Sequence, residues 1–459
     1  MFDLNGKKIL VIGLARTGVA TSLFCARHGA AVSAVDTRAE SELAGAVAKL
    51  GATNISLQLG GYTKKILEGI DLVIPSPGVP ADSDILKAAR VHDLPVWSEI
   101  ELADRFLNGR LIGITGSNGK TTTTSLIEHI LNNSGFSTLL AGNIGTPLID
   151  VVEQTSDQTI TVAELSSFQL ELIETFRPNI SVFLNLTPDH LDRHGSLEAY
   201  GAAKARIFEK QTTADFAVLN ADDPASTSYA PSKPKVFWFS RKQRVAQGAF
   251  LLGDEIIFRH HGEEEIILKR SEIPLPGAHN LENVLAAVVA TRLAGARPYE
   301  IAKSIRSFAG VEHRLEFVAE HNGVRYYNDS KATNVDATLK ALDAFPGRIL
   351  IILGGKDKGS DYTALQTPLR EKAILALLIG AAAEKIEMQI SGGVAIERAG
   401  TLQRAVEVAS RTAQPGDIVL LAPACASFDQ FENYEHRGRV FKQLVHKLNQ
   451  AAQSVSGKR

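Results

Sequence analysis

Cysteine is nearly absent from this chain: 459 residues contain two, Cys25 and Cys425. They lie far apart in sequence and match no metal-ligand spacing, so no cysteine metal site is expected. A strong charge of either sign is missing as well. Formal net charge is −2, from 49 Lys and Arg against 51 Asp and Glu. No bulk field favours nucleic acid or a membrane surface, and a nucleotide partner would need a local site. No window approaches the roughly 18 uninterrupted apolar residues of a membrane-spanning helix. The apolar run from Ile9 to Leu14 is too short for a secretory signal and meets a glycine turn, not a cleavage site. Internal repeats and low-complexity segments are absent too. What remains is ordinary globular composition, 44% hydrophobic and 22% charged, which argues against long disorder. These features point to a reducing cytoplasm where ATP is available, and to small-molecule partners. The expectation is a monomer, with no nucleic-acid partner and no membrane insertion.

At roughly 100–200 residues per domain the length predicts about three domains, and the pattern divides at residues 1–98, 99–309 and 310–459. The first block begins with a strand at Lys8–Gly13, then a helix rich in small residues and a strand at Ala31–Val35. Further strands are expected at Asp71–Pro75 and, briefly, at Leu94–Trp97. The second opens on an apolar strand before Thr115, followed by a helix with Leu126, Ile127, Ile130 and Leu131 on one face and Gly135 at its C-terminal end. Strands recur at Thr159–Ala163, Ile180–Leu186 and Phe216–Leu219. The stretch Lys235–Lys269 has the turn signals Gly253-Asp254 and His261-Gly262 of antiparallel strands. The third block carries strands at Val324–Tyr327, Arg348–Leu353, Ala373–Ile379 and Ile418–Ala422. Alternating strand and helix predicts α/β architecture throughout. The expectation is two Rossmann-like outer domains around a P-loop-type ATPase domain that combines a parallel sheet with a small antiparallel sheet.

The strongest local signal is Thr115-Gly-Ser-Asn-Gly-Lys-Thr-Thr, between an apolar strand and an amphipathic helix. Gly116, Ser117, Asn118, Gly119 and Thr122 would cradle ATP phosphates with backbone N–H groups at a helix N-terminus. Lys120 would reach the β- and γ-phosphates, and Thr121 would offer its hydroxyl to Mg²⁺. The generic P-loop pattern asks for glycine where Ile114 stands; the bland alternative is a glycine-rich turn. Gly13-Leu-Ala-Arg-Thr-Gly follows the first strand and Asp36 ends the second, but Ala15 replaces the middle glycine of a dinucleotide fingerprint. That substitution weighs against an NAD-dependent oxidoreductase.

The shorter form TGSNGKT resembles the ATP loop of the Mur ligase superfamily, which also includes folylpolyglutamate synthetase and adds amino acids to a carboxylate through an acyl phosphate. From here the resemblance runs in order along essentially the whole chain. Glu164, in Ala-Glu-Leu-Ser-Ser-Phe-Gln-Leu, resembles the family's ELSSFQL motif; alone it could be a helix cap. It is implied as a Mg²⁺ ligand, with Ser166 and Gln169 contacting the UDP-linked substrate. Leu184-Asn-Leu-Thr-Pro-Asp-His-Leu-Asp-Arg-His resembles the segment that places His190 at a second Mg²⁺ and near that substrate. Lys204 read alone is a solvated helical lysine. By resemblance it carries a CO₂-derived carbamate, which supplies metal-binding oxygens that an ammonium cannot. Asn280 and Asn283, one helical turn apart, would pair with adenine edges, although Asn280 could equally cap its helix.

In the N-terminal block the resemblance places Arg16 and Thr17 by the diphosphate and Asp36 and Thr37 near the uracil. Ser76 and Asn143 line the same path. In the third block it aims Arg314 at the γ-phosphate. Asn328-Asp-Ser-Lys-Ala-Thr-Asn closely resembles the D-glutamate-adding branch: Lys331 would contact phosphate, Asp329 would orient cationic groups beside ATP, and Thr333 would touch the amino acid. Lys358, Ser427 and Tyr434 complete the D-glutamate contacts, Tyr434 standing where the family often has Phe. The implied reaction joins D-glutamate to UDP-N-acetylmuramoyl-L-alanine with ATP and two Mg²⁺, in peptidoglycan precursor synthesis. A folylpolyglutamate-type ligase and a non-catalytic nucleotide-binding regulator are the other readings. The complete UDP-type domain and the Asn328–Asn334 run oppose the first; the intact metal residues oppose the second.

Overall fold

The computed structural model describes residues 2–51, 53–357 and 359–456; for Asp192 and residues 449–456 it describes only the backbone. Contacts divide the chain into two compact units, Met1–Glu272 with Leu281–Ser307, and Ile273–Asn280 with Phe308–Arg459. Three sheets are spread over them. The first comprises β1 (Lys8–Ile12), β2 (Ala31–Asp36), β3 (Ser56–Leu59) and β4 (Leu72–Pro75), all parallel in the order β3-β2-β1-β4. The expected strand at Leu94–Trp97 is only a parallel bridge, Val73 with Val96. Proline has no N–H to continue a ladder, and Pro95 contributes only its carbonyl, to Val73 N at 2.9 Å.

The second sheet comprises β5 (Arg110–Thr115), β6 (Ser137–Gly142), β7 (Thr159–Glu164), β8 (Ile180–Phe183), β9 (Phe216–Asn220), β10 (Lys235–Ser240), β11 (Gly248–Leu252), β12 (Glu255–His260) and β13 (Glu263–Lys269). Its order is β13-β12-β11-β10-β9-β8-β5-β7-β6. The two turns read at 253–254 and 261–262 do join antiparallel strands, β11 to β12 to β13. They continue the large sheet instead of forming a separate one, and β10 pairs in parallel with both neighbours. The first two sheets share one hydrophobic core, which gathers Phe24 of the N-terminal block with Leu102, Leu148, Ile149 and Phe176.

The second unit carries β14 (Glu316–His321), β15 (Val324–Asn328), β16 (Ile349–Gly354), β17 (Ala373–Ile379), β18 (Ile396–Gly400) and β19 (Ile418–Leu421), in the order β14-β15-β19-β16-β17-β18. β16 and β19 are buried at every residue, as helix-covered parallel strands must be. Among the described strands of this unit, only the β14–β15 pair is antiparallel. Among the described residues no helix is long and apolar enough to cross a membrane.

Candidate active site

The middle of the second sheet determines which loops meet. β5 lies between β7 and β8, with Ile114 opposite Glu164 and Thr115 opposite Phe183. The three loops leaving the C-terminal ends of adjacent parallel strands are therefore neighbours, where open α/β sheets collect ligands. The first is the phosphate loop. Gly119 caps the helix Lys120–Asn133 with φ +84°, and a Cβ there would come within 2.2 Å of Asn283 Oδ1. The second contributes Glu164, buried, which accepts from Thr121 Oγ1 at 2.8 Å on one oxygen and from Asn143 Nδ2 at 2.8 Å on the other. The third folds over the phosphate loop. Asn185 Oδ1 accepts from Asn118 N (2.9 Å), Asn185 Nδ2 donates to Asn118 O (3.1 Å), and Ser117 Oγ donates to Thr187 O (2.9 Å).

Two lysines converge on this loop. Lys120 Nζ donates to Gly116 O (2.8 Å) and Ser117 O (2.9 Å), and Lys204 Nζ donates to the same Gly116 O at 2.8 Å. The structure overturns the solvated reading of Lys204, which is 1% exposed with its ammonium 4.4 Å from the Tyr200 ring centroid. Burial, reinforced by the Lys120 charge, pushes the Lys204 amine well below its ordinary value. Thr122 is buried in the same turn, and Asn283 sits against it through Thr123 Oγ1 at 3.3 Å. Asn280 lies inside the first turn of the helix Ala278–Ala294 and donates from Nδ2 to Pro276 O at 2.7 Å.

His190 is placed differently. It is half exposed in left-handed backbone (φ 52°), with Asp189 at 3.6 Å and the Phe168 ring centroid at 5.0 Å. Thr121 and Glu164 supply a hydroxyl and a carboxylate side by side, the hard oxygen donors that Mg²⁺ takes. Among the described residues no three His, Cys, Asp or Glu side chains gather as a metal cage. The residues therefore fit an ion that completes its shell with phosphate and water oxygens.

The N-terminal loops are built around Asp36. Its carboxylate accepts from Leu14 N (2.8 Å) and from Arg38 Nε (3.1 Å) and Nη2 (2.7 Å). Burial pushes this carboxyl up, but Arg38 and the amides outweigh it and bring it down to about 2. Gly18 is needed for contact, since a Cβ there would lie 1.8 Å from Gly13 O and 2.8 Å from Ser76 Oγ. Arg16 borders a cavity of about 460 Å³ with Lys49, Thr146 and Asp150; Thr17 is half-buried and Thr37 is exposed. Ser166 caps the short helix Ser167–Leu170 and is tied to Gln169, whose Oε1 accepts from Ser166 N at 3.0 Å and Oγ at 2.9 Å.

In the second unit, three loops leave the adjacent strands β15, β19 and β16. The first carries Asp329, Lys331 and Thr333, the second Ser427, and the third Lys358, which lies outside the described residues. Burial raises the Asp329 carboxyl to about 6, against the pull of Arg314 and Lys331. Ser427 is buried, and its carbonyl accepts from Phe431 N at 2.9 Å. Tyr434 opens the last helix, with its ring centroid 6.3 Å from His313. Sequence reasoning missed Arg437, a fully buried guanidinium. It donates to Ser330 O (2.8 Å) and Ser330 Oγ (3.0 Å) and to Cys425 O (3.2 Å), joining the first two loops. Nothing in its helical context marks it. Asn185 and Arg193 did lie inside a quoted run, but only contacts reveal what they hold.

The chain matches the model of the Mur ligase middle domain over residues 114–291. It matches the Mur ligase glutamate ligase domain over 313–425 and the MurD-like N-terminal domain over 7–98. It is 53% identical over 446 residues to a UDP-N-acetylmuramoylalanine–D-glutamate ligase of Solibacter usitatus, covering 97% of this chain and 99% of that one. A protein of the same name from Koribacter versatilis is 51% identical over 447 residues, covering 97% and 98%. Among solved structures, the UDP-N-acetylmuramate-alanine ligase of Thermotoga maritima has a TM-score of 0.59 at 19% identity, covering 96% of this chain and 99% of that chain. The MurF ligase of Thermotoga maritima in complex with ADP also scores 0.59, at 16% identity, covering 97% and 100%. These two share the fold.

Proposed function

The chain belongs to the Mur ligase family, and from that premise we propose that it joins D-glutamate to UDP-N-acetylmuramoyl-L-alanine in the cytoplasm, with cleavage of ATP to ADP and phosphate. The observation that carries the catalytic part is the convergence of Lys120 and Lys204 on the Gly116 carbonyl, beside the Thr121–Glu164 pair. Carboxylate attack on the γ-phosphate builds negative charge on the transferring group, and preorganised cations stabilise that charge most where water is excluded. Lys120 serves at the phosphate loop; Arg314 and Lys331 are assigned to phosphate by resemblance, with Asp329 orienting them. The amine of D-glutamate then displaces phosphate from the acyl phosphate, and no enzyme nucleophile is needed. Thr333, Lys358, Ser427 and Tyr434 are assigned to D-glutamate. Arg16, Thr17, Asp36, Thr37, Ser76, Asn143, Ser166, Gln169 and His190 are assigned to the UDP substrate, and Asn280 and Asn283 to adenine.

Thr121 and Glu164 would hold one Mg²⁺, His190 and a carbamate on Lys204 a second. These ions would neutralise phosphate charge. Burial disfavours the charged form of the Lys204 amine, and the neutral form is the one that adds CO₂, losing a proton to solvent; the resulting anion would sit beside Lys120. Lys204→Ala should lose most activity and recover part of it with small carboxylic acids; full activity without them sinks the carbamate assignment.

The deciding experiment is phosphate release with UDP-N-acetylmuramoyl-L-alanine, ATP and a panel of amino acids. D-Glutamate should turn over, with L-glutamate about 100-fold poorer, because misplacing a reacting amine by about 1 Å costs that much, and with D-alanine poor because it lacks the distal carboxylate. Equal rates with both glutamate enantiomers, or preference for a diamino acid, would overturn the assignment.

A further inference from the structure

The run ending Asp-Arg-His contributes His190 to the proposed site and leaves Arg193 without a task. Arg193 sits on the short helix Leu191–His194, yet its side chain reaches back to the N-terminal sheet. Nη1 donates to Pro77 O at 2.7 Å and Nη2 to Val79 O at 3.2 Å. These carbonyls belong to the turn that follows β4, closed by Val79 N to Ser76 O at 2.9 Å. Ser76 Oγ in turn donates to Gly13 O at 2.7 Å, so the turn is tied to the loop after β1.

The other face of Arg193 is held just as firmly. Its guanidinium carbon lies 3.9 Å from the Phe168 ring centroid, and Nη2 also donates to Glu171 Oε2 at 3.1 Å. His194 fixes the same platform, with Nδ1 3.2 Å from Glu171 and Nε2 3.0 Å from Ser167 Oγ. A planar fork that stacks on an aromatic ring while donating to two carbonyls is a task only Arg performs, since Lys offers a point charge on a flexible stem. The clamped turn lies at the sheet tip, with Gly78 and Pro80 exposed.

We propose that Arg193 is a positioning residue for the UDP-linked substrate. It sets the Ser76–Val79 turn against the segment carrying His190, so that substrate loop and phosphoryl-transfer loop share one register. This rests on the functional reading above.

The test uses the full chain and its Arg193→Lys and Arg193→Ala variants, with ligase turnover by the parent as the control on that reading. A parent inactive with UDP-N-acetylmuramoyl-L-alanine, ATP and D-glutamate fails the reading itself. With an active parent, both variants should raise the KM for the UDP substrate about tenfold or more, with the KM values for ATP and D-glutamate within about twofold. Calorimetric binding of UDP-N-acetylmuramoyl-L-alanine to nucleotide-free protein should weaken by the same factor. Ser76→Ala should cost less in the Arg193→Lys background than in the parent, because coupled residues are non-additive. Should Arg193→Ala fail to fold, Arg193→Lys and the Ser76 cycle decide alone. Parent-like behaviour of Arg193→Lys, a parallel rise of all three KM values, or a fall in kcat alone would overturn the proposal.

Discussion

Single residues decide how closely backbone, ligand and charge approach one another here. Gly119 combines left-handed backbone with an Asn283 oxygen 2.2 Å from where a Cβ would stand. Gly119→Ala should therefore strain the phosphate loop by about 1–3 kcal/mol and raise the ATP KM by about tenfold or more while leaving the UDP-substrate KM near the parent value. Steady-state titration of each substrate checks it, and an unchanged ATP KM would remove the phosphate loop from the site. Asp329 makes a pH prediction whose sign runs against the usual carboxylate. Burial lifts its folded value to about 6 from 3.8, so between those values the folded state holds a proton that the unfolded state has released. Stability contributed by this group is present at low pH and lost as pH rises through 6. Asp329→Asn does not titrate, so it should gain on the parent by roughly 2–3 kcal/mol between pH 4 and pH 7. Urea midpoints of the two proteins at both pH values measure the difference; a variant that does not gain on the parent as pH rises contradicts the burial argument.

Secondary-structure elements were legible in proportion to their burial. Buried strands such as β16 and β19 announce themselves as unbroken apolar runs. The strands that sequence reasoning passed over are β3, β6, β14 and β18, and each is at the edge of its sheet. An edge strand is covered on fewer sides, so its residues mix polar with apolar and the pattern weakens, as the half-exposed SLQL of β3 shows. The packing of elements also depends on groups that no periodicity marks. Glu101, wholly buried on the helix Glu99–Asp104, accepts from the amides of Glu174, Thr175 and Phe176 at 2.8, 2.9 and 2.9 Å and from Thr175 Oγ1 at 2.6 Å. Arg105 adds a 2.8 Å ion pair. Glu101→Ala should leave three backbone N–H groups, that of Phe176 buried, without their acceptor and take from Arg105 its 2.8 Å partner, a loss of about 3 kcal/mol. Thermal denaturation should show it as a fall of several degrees, without a selective change in any one KM.

At the scale of the molecule, contacts define two units, and each holds one buried cysteine. Burial pushes the Cys25 thiol up to about 12 and Cys425 to about 11. The native protein should therefore resist a thiol reagent at pH 8, while the denatured chain reacts at both positions. In Cys25→Ser the remaining thiol reports opening of the second unit, and in Cys425→Ser that of the first. Labelling rates measured across a urea series should then give two profiles; rapid labelling of the native protein at either site would contradict the packing around it.

The phosphate loop could be read from the sequence itself, as Gly-Lys-Thr between an apolar strand and a helix, whereas the roles given to Glu164, His190 and the Asn328–Asn334 run came from resemblance to motifs that follow apolar strands. The α/β class followed from the same alternation. Lys204 was legible only through resemblance, since a lysine on a helix carries no signal of its own burial. Tertiary structure alone decided that its amine would share the Gly116 carbonyl with Lys120, that Asn143 and Thr121 would divide the two oxygens of Glu164, and that Arg193 would cross to the N-terminal turn. Strand order and register bring residues distant in sequence within 3 Å of one another. Local pattern encodes strand and helix, but which strand neighbours which is settled by packing among all of them.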